Sequence, residues 1–272
     1  MTRISFLGPA GTFSEVALFS LALPDPDPVA CTSIAEVFEA VERGKADVGV
    51  VPIENSIEGS VAATLDALAF DTSLEIQREL VLDISFALVA APGTKLADVT
   101  CVAAHPQAGG QCRRWLERHL PGRTVIAANS NAEAVQTAVA TPGMAALGPA
   151  LAAELYGGEV LEQGVEDYAG NQTRFVVIGH GIVPSSGHDK TSLALFMKKD
   201  RPGALLMILS EFAYADINLT KIQSRPTKRQ LGDYMFFVDF EGHVEDPDVR
   251  LALDCLRLKL REVKVLGSYP RA

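Results

Sequence analysis

A threonine hydroxyl and an arginine guanidinium stand side by side in Asn171-Gln172-Thr173-Arg174-Phe175, just before the apolar run Val176-Val177-Ile178. A buried strand starting there carries a proton donor and an anion anchor to its mouth. The pair suits proton donation beside a bound anion. A hydroxyl such as that of Thr173 can donate a proton, and the planar guanidinium of Arg174 can grip a carboxylate through two parallel hydrogen bonds. Each residue also has a plainer meaning: a β-branched residue commonly opens a strand, and an arginine commonly makes a surface pair. Two polar loops, residues 8–15 and 51–60, can converge on the pair. Asn55 and Ser56 follow the apolar residues 48–53, at a strand's C-terminal mouth, where open α/β sheets bind ligands. Ser60 and Val61 read as the start of a helix whose free amides suit an anion. Glu54 and Glu58 read equally as site residues or as cap and hinge residues. Thr12 is either a helix cap or, with its loop amides, a carboxylate donor. His105 precedes a proline, where a structural role is commoner than an acid.

The elements that must position these groups follow from periodicity. Residues 4–7 read as a short buried strand and residues 8–11 as a turn. Thr12/Glu15, Ser33/Glu36 and Ser130/Glu133 each have capping-box spacing ahead of a helical apolar stripe. Between the helices lie short apolar runs at residues 48–51, 84–90, 99–103, 125–127, 145–147 and 175–178. Strands alternating with capped helices predict parallel α/β layers. Residues 74–91 form a long apolar stretch with little helical character. Residues 180–190 hold Gly181, Pro184, Ser185, Ser186 and Gly187 and read as a linker. Beyond it the order changes to strand (191–197), helix (203–213), two strands (217–224 and 234–240), helix (248–261) and strand (263–266), the ferredoxin-like βαββαβ pattern.

Composition narrows the function class. The 272 residues are 48% hydrophobic, enough for more than one buried core. The formal charge of −10 and three short basic clusters, at 198–199, 225–229 and 257–264, argue against nucleic acid, whose binding needs clustered cations. A single arginine can still reverse the potential inside a cleft, so an anionic substrate remains open. Cys31, Cys101, Cys112 and Cys255 show no metal-ligand spacing and read as reduced core thiols of a cytoplasmic protein. Strand-like residues begin at once, which predicts no signal peptide, and no apolar run is long enough to span a membrane. No metal-binding spacing appears and no Gly-x-Gly-x-x-Gly follows the first strand, so neither a metal nor a nicotinamide is expected.

The three polar segments, in this order and ahead of a βαββαβ tail, resemble the prephenate dehydratase family. The tail, with Asp200-Arg201-Pro202-Gly203-Ala204-Leu205 opening its first helix and Gln223-Ser224-Arg225-Pro226 later, resembles an ACT domain, an amino-acid-binding regulatory module. The resemblance covers nearly the whole chain. It implies a bilobal, periplasmic-binding-protein-like catalytic region at residues 1–180, with crossovers near 74–91 and 165–175, and an ACT domain at 190–272. The implied reaction turns prephenate into phenylpyruvate, water and carbon dioxide in phenylalanine biosynthesis, without cofactor or metal. Aromatisation supplies the thermodynamic pull, so the protein must hold a dianion and protonate a leaving hydroxyl.

The resemblance makes Thr173 the general acid and makes Arg174, Asn55, Ser56, Gln111 and Thr12 substrate-binding residues. Family members often carry a serine where this chain has Ala104, and Ser85 is a candidate to supply the missing hydroxyl. Gly203, Ala204, Leu205, Asn218 and Leu219 are the implied phenylalanine-binding residues, at an interface between ACT domains of a homodimer or homotetramer. Prephenate and L-phenylalanine are the implied partners, with no nucleic acid and no membrane. Three readings stand beside this one: arogenate dehydratase, marked by an acidic residue facing a substrate amine; a non-catalytic bilobal small-molecule-binding protein, against which the expected absence of a signal peptide and the fused regulatory module argue; and a non-catalytic amino-acid sensor, against which retention of Thr173-Arg174-Phe175 argues.

Overall fold

The computed structural model describes residues 1–199, 201–229 and 232–272. Asp200, expected at the opening of the first C-terminal helix, lies outside the described residues. The chain begins with β1 (Thr2–Leu7), α1 (Phe13–Ser20), β2 (Pro26–Cys31), α2 (Ile34–Glu42), β3 (Val48–Asn55) and the short β4 (Gly59–Ser60). Helix α3 (Ala62–Asp66) continues into a π turn (Ala67–Asp71) and leads to β5 (Glu75–Asp83). Then come β6 (Ala87–Ala90), β7 (Cys101–Ala104), α4 (Pro106–Gln111), α5 (Arg113–His119), β8 (Thr124–Ala127), α6 (Asn131–Ala140), β9 (Met144–Gly148), α7 (Ala150–Tyr156) and β10 (Glu159–Gln163). After β11 (Gln172–Gly179) the chain adds β12 (Asp189–Phe196), α8 (Ala204–Tyr214), β13 (Leu219–Pro226), β14 (Tyr234–Glu241), α9 (Pro247–Lys259) and β15 (Glu262–Pro270).

These elements divide into two compact units. One holds Met1–Val61 with Val81–Phe175, the other Ala62–Leu80 with Val176–Ala272. The first unit carries two sheets, and so two lobes. In the first lobe the order is β11-β3-β1-β2, with β1 parallel to both β2 and β3. No apolar run announces β2, because Pro26 and Pro28 interrupt it; it is tolerated as an edge strand, where a missing N–H breaks no ladder. Caps at Ser33 and Ser130 form as expected: their hydroxyls accept from the N–H of Glu36 (3.2 Å) and Glu133 (3.0 Å).

The second lobe has the order β10-β6-β9-β7-β8. Here the all-parallel expectation needs correcting. β7 runs parallel to β8 and β9, but β6 lies antiparallel to β9 and β10. Strand β6 comes in from β5 and β10 leads out toward β11, so neither is a βαβ repeat of its neighbour. The continuous apolar run at 84–90 has a physical cause: Leu88 and Ala90 face one core, with Ile84, Phe86 and Val102, while Ala87 and Val89 face another, with Val135 and Ala146. A strand buried on both faces shows no alternation.

The second unit contains the expected βαββαβ order, with β13-β14-β12-β15 neighbours and antiparallel pairing throughout. Its core gathers Leu193, Leu195, Ile208, Phe212, Val238 and Leu253. The same unit holds Ala62–Leu80. Strand β5 pairs with β15 at Ile76 and Gly267, where a side chain on Gly267 would collide with the Ile76 carbonyl. Lys190 grips Glu79 at 2.7 Å, the two side chains 13% and 3% exposed. Asp66 receives Arg225, through Nη2 at 2.7 Å, and Lys228 at 2.8 Å. The Arg225 hydrogen bond, with Lys228 behind it, holds the Asp66 carboxyl below the usual aspartate value. The linker is a defined turn: Ser185, Ser186 and the N–H of Gly187 all donate to Asp189.

Candidate active site

The site begins where β3 ends. The Asn55 side-chain oxygen accepts from the backbone N–H groups of Ile57 and Glu58, both at 2.9 Å. A short Asx turn is what this residue type offers at a strand exit. Because an N–H only donates, the turn fixes the Asn55 amide with its NH2 toward β11. That NH2 donates to Asn171 Oδ1 at 2.8 Å and to Thr173 Oγ1 at 2.9 Å. Ser56 completes the seam: its N–H donates to the Gln172 carbonyl (2.8 Å), and its hydroxyl accepts the Gln172 N–H (2.9 Å). Asn55, Ser56 and Thr173, expected together, are brought together.

The second lobe contributes Gln111, at the end of α4 and 9% exposed. Its oxygen accepts from Asn171 Nδ2 (2.9 Å) and its NH2 donates to Glu58 (3.1 Å). The backbone N–H of Asp167 holds the Gln111 carbonyl at 2.7 Å, and the Asp167 carboxylate accepts the N–H groups of Arg114 and Trp115 at the start of α5. The two passages between lobes also touch: the Ile84 N–H donates to the Asn171 carbonyl at 2.8 Å. Residues 165–171 thus form a strap fastened to both lobes. His105 caps α4, its Nδ1 accepting from the Gln107 N–H at 3.4 Å, in keeping with a structural role.

Thr173 is 8% exposed. Its oxygen accepts from Asn55, and no acceptor among the described residues takes its own proton. A hydroxyl in that state is a donor awaiting a partner, and the amide on its oxygen stabilises charge that develops there. The Arg174 side chain is 11% exposed and pairs with Glu54 at 3.4 Å. Both glutamates left open by the sequence are therefore engaged, Glu54 with the guanidinium and Glu58 with Gln111.

The loop of residues 8–15 differs from expectation. Thr12 is the N-cap residue of α1, but its hydroxyl donates to the Leu7 carbonyl at 3.0 Å and caps nothing. Glu15 instead accepts the Gly11 N–H at 2.5 Å. Gly11 has φ 84°, and a side chain there would stand 3.2 Å from Ala152 Cα. The Tyr156 hydroxyl donates to the Ala10 carbonyl at 2.7 Å, which fastens the loop to α7 of the other lobe. Burial, with Glu15 adding to it, pushes the Tyr156 phenol up, so it stays protonated as that bond requires. A second correction concerns Ser60. It lies in β4 opposite Glu54, and the helix after it starts at Ala62 and has only five residues. So short a helix provides no anion site.

Ser85 is exposed between Ile84 and Phe86, on the passage that touches Asn171, and bonds neither Thr173 nor Gln111. Ala104 is 1% exposed and packs in the lobe core with Cys112. Burial pushes the Cys112 thiol up to about 12, so it offers no nucleophile. Among the described residues no cluster of His, Cys, Asp and Glu is suited to a metal ion.

In the second unit Gly203, Ala204 and Leu205 line a cavity of about 610 Å³ with Arg201, Ser224, Tyr234 and Phe236. Asn218 and Leu219 do not line it. The Asn218 carbonyl accepts from the Glu241 N–H (3.0 Å), and Leu219 pairs with Phe240. Tyr234 and Phe236 went unnoticed in the sequence because only the β13–β14 register, Ser224 opposite Phe236, brings them to the groove. Asn171 had a readable signal: two residues before Thr173, it shares that residue's face by strand periodicity.

A family model for prephenate dehydratase matches residues 4–182, and one for the ACT domain matches residues 191–254. A protein named prephenate dehydratase from Mycolicibacterium vanbaalenii is 46% identical over 99% of this chain and 91% of its own length. The crystal structure of prephenate dehydratase from Arthrobacter aurescens in complex with L-Phe superposes with a TM-score of 0.91 at 39% identity, over 99% of this chain and 90% of that one. GqqA, described as a novel type of quorum quenching acylase, superposes at 0.89 with 30% identity, over 99% and 98% of the two chains.

Proposed function

The chain belongs to the prephenate dehydratase family and carries an ACT domain, and from that premise we propose that Thr173 protonates the leaving hydroxyl of prephenate while Arg174 holds a carboxylate. The observation that supports this most is the Thr173 hydroxyl itself, which accepts from Asn55 and keeps its own proton for a ligand. In the step, the ring C–O bond breaks as the oxygen takes the Thr173 proton and leaves as water. The C–C bond to the ring carboxylate breaks with it, its electron pair enters the ring, and carbon dioxide departs. Solvent returns the proton to Thr173. Threonine is a weak acid, so most of the acceleration comes from positioning and from the amide and guanidinium around it. Arg174 has five donors, enough to keep Glu54 and take a carboxylate. In this reading Asn55, Ser56 and Gln111 hold the substrate, with Thr12 and Ser85 on neighbouring loops.

We assign catalysis to residues 1–180 and regulation to residues 190–272, in a cytoplasmic homodimer or homotetramer. L-phenylalanine is the effector, bound at Gly203, Ala204 and Leu205 between two copies, with Asn218 and Leu219 supplied from across that interface. Exposed Leu206 at the groove and Ile222 on β13 support pairing through this unit. Arogenate is the second substrate to assay, because Glu58 places a carboxylate at the same mouth. Acyl hydrolysis lacks its usual machinery: no hydroxyl or thiol among the described residues bonds a histidine ring. The test is an acid-quenched assay with prephenate and with arogenate, with and without phenylalanine. Phenylpyruvate from prephenate, suppressed by phenylalanine, is expected; no product from purified, folded protein would overturn the reading.

A further inference from the structure

Asn171 is 3% exposed, and the protein binds it at both ends of its amide. It belongs to a closed ring of hydrogen bonds with a single possible direction. The Glu58 N–H donates to the Asn55 oxygen. The Asn55 NH2 donates to Asn171, the Asn171 NH2 to Gln111, and the Gln111 NH2 to the Glu58 side chain, where the ring began. The start is fixed because a backbone N–H cannot accept, and each amide must then present its oxygen backward and its NH2 forward. No member can flip alone: a turned Gln111 would set its oxygen against the Glu58 carboxylate. Thr173 hangs from this ring by the Asn55 NH2 at 2.9 Å.

We propose that Asn171 is a positioning residue for the dehydration, acting through Asn55 on Thr173. By accepting from the Asn55 NH2 it sets where that group meets the Thr173 oxygen, and hence where the Thr173 proton points. By donating to Gln111 it ties the second lobe to the same register. The inference rests on Thr173 being the acid. Without Asn171 the Asn55 carbonyl end stays in its turn, but the NH2 loses a strong acceptor and tilts. A misplacement of about 1 Å costs on the order of 100-fold in rate.

The test uses Asn171→Ala and Asn171→Asp in the full chain, each checked for folding by circular dichroism, with kcat and KM for prephenate measured across pH beside the wild type. The Asp side chain matches Asn in size. Ionised, it accepts from Asn55 but faces the Gln111 oxygen with no donor; protonated, it reproduces both links. The charged groups on the elements around it are Glu54, Glu58, Asp83, Glu166, Asp167 and Arg174. Both variants should lose about 10- to 100-fold in kcat at neutral pH with KM within about threefold. The Asn171→Asp deficit, taken as a ratio to wild type at each pH, should shrink as pH falls, and that of Asn171→Ala should not. A kcat like wild type, a rise confined to KM, or an Asn171→Asp ratio constant with pH would overturn the proposal. Should Asn171→Ala fail to fold, the pH dependence of the Asn171→Asp ratio decides alone. A wild type without prephenate turnover would remove the functional reading itself, and this inference with it.

Discussion

Replacing Thr173 separates catalysis from stability, because the structure puts different limits on the two. Thr173→Ala removes the one hydroxyl among the described residues that is hydrogen-bonded to Asn55. A general acid contributes about 10²–10⁴-fold, equivalent to about 2.7–5.4 kcal/mol of barrier. The folding cost is far smaller. The Asn55 NH2 loses one acceptor but keeps Asn171 Oδ1 at 2.8 Å and the Gln172 carbonyl at 3.2 Å, so nothing is orphaned. One net hydrogen bond is worth about 0.5–1.5 kcal/mol. Thr173→Val, nearly the same shape, checks that a void is not responsible. Initial rates of phenylpyruvate formation, with thermal melts of the same samples, should show kcat down by at least about 100-fold in both variants while the melting midpoint moves only a few degrees. Thr173→Ser should retain most of the activity. Turnover near wild type in folded Thr173→Val would refute the argument, since no acid would then remain at that place.

Arg174→Lys should lower kcat/KM by about tenfold or more despite keeping the charge, because an ammonium cannot hold both Glu54 and a carboxylate in a planar fork; an unchanged specificity constant in steady-state assays would exclude Arg174 as the anchor. Gly203→Val should abolish phenylalanine binding in calorimetry and leave uninhibited turnover nearly intact. The reason is backbone conformation, not crowding: Gly203 has φ 80°, no atom of the described residues lies within 4 Å of an added Cβ, and a β-branched residue resists that region by about 1–2 kcal/mol. A chain ending at Pro184 keeps the region matched by the dehydratase model but leaves Glu79 without Lys190 and Asp66 without Arg225. It should be poorly soluble or melt well below the full chain in scanning calorimetry; an equally stable fragment would show those contacts to be dispensable.

The sequence carried the site further than it carried the topology. Asn55, Thr173 and Gln111 were legible as residue types at strand and helix ends, and their separate segments do meet. The ring joining them was not, because hydrogen-bond direction depends on the Asx turn at Asn55, a tertiary fact. Thr12 and Glu15 had capping-box spacing, yet the Leu7 carbonyl competed for the hydroxyl. Strands β2 and β10 stayed hidden because edge strands need little apolar patterning, and the antiparallel turn of β6 is set by a crossover that no local pattern encodes. The partnership of Ala62–Leu80 with the C-terminal strands was equally invisible. It depends on Gly267 meeting Ile76, a partner far away in the sequence.

The two prolines of β2 also bear on solubility. As the outermost strand of its lobe, β2 exposes a row of backbone groups on which a strand from another molecule can grow. β2 pairs with β1 along one side, and Pro26 and Pro28 have no N–H to offer an incoming chain on the other. Replacing both with valine would improve the strand's intrinsic propensity and, at the same time, open an unguarded edge. Concentrated solutions of such a variant should form β-rich aggregates from the native state, so the residues that made this strand hard to read in the sequence also keep neighbouring molecules apart.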